Sequence, residues 1–65
     1  MNLVVNGEAT EVADGYTTTE LVEGLTARRT GIAVAVDGEV LPRHEWDTAL
    51  HEGASVEVLT AVQGG

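Results

Sequence analysis

An α+β fold, a mixed sheet with one main helix packed across one face, is predicted by three features of this sequence. Short β-branched runs at Leu3-Val4-Val5, Ile32–Val36 and Val56–Leu59 are set apart by Asn-Gly and Asp-Gly turn signals. One stretch between the first two runs has a helix-capping signature and helical apolar spacing. The length, 65 residues, allows one hydrophobic core and no second domain.

The elements follow in order. Asn2 to Val5 reads as a strand ended by Asn6-Gly7, a pair that accepts positive φ and favours a two-residue hairpin. Glu8 to Val12 returns as the second strand, and Asp14-Gly15 turns the chain again. Thr17 and Glu20 have capping-box spacing, so a helix starts there. Glu20 and Glu23 near its start and Arg28 and Arg29 near its end complement the helix dipole, and Gly31 is its expected stop. Leu21, Val22 and Leu25 share the face expected to pack on the sheet; Gly24 has no evident local reason. Ile32–Val36, apolar at every position, reads as a central buried strand. Asp37-Gly38 turns into a short strand, Glu39-Val40-Leu41, closed by Pro42. Arg43 to Leu50 suits single-turn or irregular structure anchored by Trp46, with Trp46 plugging the core. After the His51-Glu52-Gly53 turn comes the last strand, Ala54 to Ala61. Val56 and Val58 face one way there, and Ser55, Glu57 and Leu59 the other.

A helix between two hairpin-like units in so short a chain points to the β-grasp, or ubiquitin-like, arrangement; a split β-α-β order also fits the pattern. Residues 1–61 are expected to form the domain and 62–65 a flexible Gly-Gly tail. Eleven acidic residues against three basic ones give a net charge of −8, which disfavours nucleic acid and anionic membrane as partners. No apolar run approaches the length of a membrane span and no signal segment opens the chain, so a cytoplasmic location is expected. The absence of cysteine excludes disulfides, cysteine-based zinc sites and a thiol nucleophile.

Little else in the chain suits intrinsic catalysis. His44 and His51 lie in a segment with no firm helical pattern and read as surface or turn residues, not a metal pair. The acidic pairs Glu8/Glu11 and Glu20/Glu23 read as solvated faces, and Ser55 has no nucleophile-elbow motif. Gly31, Gly38 and Gly53 are single turn residues and form no phosphate-binding loop. The expectation is therefore no enzyme, no catalytic residue, no metal and no bound cofactor.

The informative feature is Val62-Gln63-Gly64-Gly65 beyond the last strand. From Thr60 these residues can extend roughly 17 Å, and Gly64 and Gly65 can thread a passage too narrow for any Cβ. A terminal carboxylate on Gly65 is ionised at neutral pH and is a poor electrophile, so chemistry there needs a partner that activates it. Transfer to the α-phosphate of ATP, giving an acyl-adenylate, is the obvious route.

The chain resembles the ThiS family, sulfur carriers of thiamine biosynthesis, essentially from end to end. The resemblance is carried by Gly15-Tyr16-Thr17 with Glu20-Leu21-Val22, by Gly31 to Val36, and by Gly38-Glu39-Val40-Leu41-Pro42-Arg43 with Trp46. Val56-Glu57-Val58-Leu59 running into Gln63-Gly64-Gly65 completes it. Asp37 stands where many members have Asn, and either suits the turn. The resemblance implies that an E1-like adenylyltransferase of the ThiF type adenylates Gly65, consuming ATP with Mg. Sulfur from a desulfurase pathway then converts it to a thiocarboxylate, which a thiazole synthase of the ThiG type uses. Gln63, Gly64 and Gly65 would enter the partner's active site, and Leu59, if exposed, would suit docking beside the tail. Alternatives are another thiocarboxylate carrier, such as the small subunit of molybdopterin synthase, or a ubiquitin-like protein modifier. A modifier of this sequence could not form lysine-linked chains of itself, because the chain contains no lysine. A plain interaction domain with an inert tail is a third class.

Overall fold

A computed structural model describes residues 1–28 and 30–60. Strands β1 (Asn2–Val5) and β2 (Glu8–Glu11) form the predicted hairpin, paired Val4 to Ala9 and Val5 to Glu8. Its turn needs two successive positive φ angles, and Asn6 at 49° and Gly7 at 83° supply them. Helix α1 (Thr18–Leu25) follows, then β3 (Ile32–Val36), β4 (Glu39–Val40), a single 3-10 turn (Arg43–Glu45) and β5 (Ser55–Thr60). The strands form one sheet in the order β2-β1-β5-β3-β4. β1 and β5 are parallel neighbours, while β3 is antiparallel to both β5 and β4. This mixed sheet with a single described helix is the β-grasp arrangement.

The helix begins as its sequence requires. Glu20 N–H donates to Thr17 Oγ1 at 3.1 Å, and Thr17 N–H donates to Glu20 Oε1 at 3.0 Å, closing the capping box. A further first-turn donor, Thr19 N–H, reaches Trp46 O at 3.0 Å, so the segment after the 3-10 turn is tied to the helix start.

Three expectations need correction. The helix stops at Leu25, short of Arg28: Thr26 is already extended, with φ −153° and ψ 150°. Its hydroxyl accepts the Arg28 N–H at 3.1 Å, a local bond that competes with helix continuation. Gly31 consequently opens β3 and does not cap the helix, Arg28 lies outside the last turn, and Arg29 lies outside the described residues. Second, Leu25 is 52% exposed, because the buried helical face consists of Thr18, Leu21 and Val22 in the first two turns. Third, the central strand is β5, not β3. The helix covers one face of the sheet, so within β3 Val34 is fully buried while Ala33 on the other face is exposed.

The core is Leu3, Val5, Leu21, Val22, Val34, Trp46, Leu50, Ala54 and Val56. Trp46 plugs it as expected: its ring is buried, and Nε1–H donates to Leu41 O at 3.1 Å.

Candidate functional site

Gln63, Gly64 and Gly65 lie outside the described residues, as does the expectation that residues 62–65 are flexible. What the structure describes is the root from which they continue. β5, the central strand, carries the chain to Thr60 at the margin of the sheet. Alternation along β5 buries Val56 completely and Val58 in part on the helix side, and turns Leu59 outward. Leu59 is 64% exposed, so its side chain is open beside the start of the tail.

Leu59 pairs with Ala33 across the β3–β5 ladder, and these two with Gly31, Ile32 and Thr60 line a shallow groove. The same sheet face carries Val4, and also Val40, which pairs with Ala35 and is 77% exposed. Sequence reasoning singled out Leu59 but missed Ala33 and Val40. The strand period that placed Leu59 outward also places them, once the neighbouring strands are known.

Other residues with chemical potential serve the fold. Pro42-Arg43 with Trp46 is a local packing unit: Pro42 precedes the 3-10 turn, and the Arg43 guanidinium lies over the Trp46 ring at 4.8 Å. His44 and His51 do not come together. His44 is exposed next to Glu45, whereas His51 Nε2 is 2.6 Å from Asp37 Oδ2. His51 Nδ1 faces the Glu52 carbonyl at 3.0 Å, so both ring nitrogens point at acceptors, a geometry that favours the protonated ring. The Asp37 hydrogen bond accordingly raises the His51 pKa above its ordinary value. Asp37 in turn is lowered, first by the Ser55 N–H that donates to Oδ1 at 2.9 Å and then by His51. The pair fastens the β3–β4 turn to the start of β5, at the opposite end of that strand from Thr60. Among the described residues no three acidic or histidine side chains gather to hold a metal ion. No helix of the described residues is long and apolar enough to cross a membrane.

Comparison with known proteins finds relatives of this chain. Residues 3–65 match the ThiS family. The chain belongs to that family. It is 30% identical over 66 aligned residues to the sulfur carrier protein ThiS of Escherichia coli (strain K12), covering 100% of each chain. The crystal structure of a thiamine biosynthesis protein, ThiS, from Geobacter metallireducens superposes with a TM-score of 0.80 at 39% identity, again over 100% of both chains. Membership in the ThiS family makes this chain a small carrier protein and not an enzyme.

Proposed function

We propose that this chain carries sulfur for thiazole formation in thiamine biosynthesis, as a thiocarboxylate on Gly65. The observation that carries the reading is the family match, which runs through the Gly-Gly end and aligns this chain with a sulfur carrier over the full length of both. The composition agrees: without cysteine, an acyl terminus is the covalent sulfur-bearing position left to the chain.

In this cycle a carboxylate oxygen of Gly65 attacks the α-phosphate of ATP, held with Mg by an E1-like enzyme of the ThiF type, and pyrophosphate leaves. A persulfide sulfur from a desulfurase pathway then attacks the acyl carbon, expelling AMP. Reductive cleavage of the resulting acyl disulfide by a thiol leaves the thiocarboxylate, which a ThiG-type thiazole synthase consumes. The chain itself contributes a slender end. Gly64 and Gly65 present no Cβ to a narrow active site, and Gln63 precedes them as the last side chain. Leu59 and its groove supply an apolar footing at the mouth of that site. The net charge of −8 favours approach to a basic rim, and the cytoplasm, where ATP is abundant, is the proposed location.

Intact-mass spectrometry of the protein from its native cell tests this. The expected result is a population heavier by the difference between sulfur and oxygen, localised to Gly65 by fragmentation. A terminus that stays a carboxylate, in cells making thiazole and with the activating enzyme present, would refute the proposal.

A further inference from the structure

The backbone of β5 divides cleanly between its two neighbours. Odd-numbered residues face β3, as shown by the Asp37 N–H donating to Ser55 O at 2.8 Å and by the register of Ala35 with Glu57 and Ala33 with Leu59. Even-numbered residues face β1: Val4 N–H donates to Ala54 O and Asn6 N–H to Val56 O, both at 2.9 Å. β1 then turns away at Asn6-Gly7. Its last contribution is a side chain, since Asn6 Oδ1 accepts the Val58 N–H at 2.9 Å where the next ladder carbonyl would stand. Beyond it, the Val58 carbonyl and the Thr60 N–H face the same side with no partner among the described residues.

We propose that this short open edge of β5, at Val58 and Thr60, receives an extended segment of the activating enzyme as an added strand. The strand would hold the root of the tail while Gly65 is loaded. The inference deepens the function proposed above and rests on it.

An acceptor followed by a donor along one strand edge is matched by another extended backbone. The vacant position lies in line with β1, just past its turn, and the exposed Leu59 between Val58 and Thr60 offers a side-chain contact on the sheet face. A protein that takes Gln63, Gly64 and Gly65 comes close to this edge, because Thr60, the last described residue of β5, lies only three positions before Gln63. A second copy of this chain is a poor occupant: each copy carries a net charge of −8, and Glu57 stands exposed on the same strand. The occupant that fits is a strand flanked by basic residues.

Amide hydrogen exchange of the labelled chain, alone and saturated with the ThiF-type enzyme, tests this by NMR. The Thr60 amide is expected to exchange freely in the isolated chain and to become protected in the complex, whereas Leu59, bonded to β3, is protected in both. Free exchange at Thr60 in a saturated complex that still adenylates Gly65 overturns the inference and leaves the carrier function standing. Protection in the isolated chain, or protection that rises with its own concentration, also overturns it. Absence of any ATP-dependent modification of Gly65 removes both. Thr60→Pro deletes the donor without removing a backbone hydrogen bond to β3, since Thr60 pairs with Ile32 at a position whose N–H faces away from that strand. It should keep the melting midpoint and bind the enzyme roughly tenfold more weakly than Thr60→Ala, which loses the same side chain but keeps the backbone donor. Equal binding by a folded Thr60→Pro refutes the added strand, and if that variant does not fold, the exchange measurement decides.

Discussion

Thr18 is fully buried at the first helical position, and its Oγ1 has no hydrogen-bond partner among the described residues. It is not the capping residue, since Thr17 makes both bonds of the capping box. A hydroxyl taken from water without replacement costs about 1–3 kcal/mol. Thr18→Val keeps the branched shape and puts a methyl in place of the orphaned oxygen. The backbone bonds around it, Leu21 N–H to Thr17 O and Thr19 N–H to Trp46 O, are unaffected. The substitution is therefore expected to stabilise the fold by about 1–2 kcal/mol. For a domain of this size each kcal/mol raises the melting midpoint by roughly 4–8 °C. Urea denaturation followed by circular dichroism, with thermal melts alongside, measures it: the urea midpoint should rise with an unchanged slope. Destabilisation by Val would refute the reasoning, because it would mean that the hydroxyl has a partner, such as an enclosed water, worth more than the methyl.

Gly24→Ala should stabilise by about 0.5–1 kcal/mol in the same assay: an added Cβ meets the Tyr16 hydroxyl at 3.9 Å, an ordinary contact, and Ala is the better helix former. Thr17→Ala removes the acceptor for Glu20 N–H and should cost about 1 kcal/mol, read as a lower urea midpoint. The His51–Asp37 pair gives a pH signature. The raised His51 pKa contributes stability fully present below its ordinary 6.5 and lost as pH climbs through the raised value. The lowered Asp37 pKa contributes stability present above its ordinary 3.8 and lost as pH falls through the lowered value. The gap in melting midpoint between the native chain and His51→Ala should thus be widest between those two values and close on the alkaline side; a gap that does not vary with pH would contradict the pairing. Under the proposed carrier cycle, Leu59→Ala should leave the melting midpoint unchanged while weakening binding to the proposed activating enzyme, and Gly64→Val should block the proposed loading of Gly65 with equally little effect on folding. Melts and adenylation assays on the two variants check both.

Features decided by neighbours in sequence were legible in it. Asn6-Gly7 makes a tight hairpin because two adjacent residues tolerate positive φ, and Thr17 with Glu20 caps a helix because they lie one turn apart. The inward and outward parity of β5, and with it the outward Leu59, follows from the two-residue period of a strand. Composition alone removed thiol chemistry. Tertiary structure decided what depends on residues far apart in the chain. Ile32–Val36 is apolar throughout, yet β5 is the strand at the centre, because the first and last strands lie side by side. The helix ends early through a local competition at Thr26 that apolar spacing does not register. Asn6 and Val58 are 52 positions apart, so nothing local announces that a turn side chain completes the ladder and leaves the edge beyond it open. Short-range geometry is written in adjacent residues, whereas the exposure of an edge or a face exists only once the chain has closed on itself.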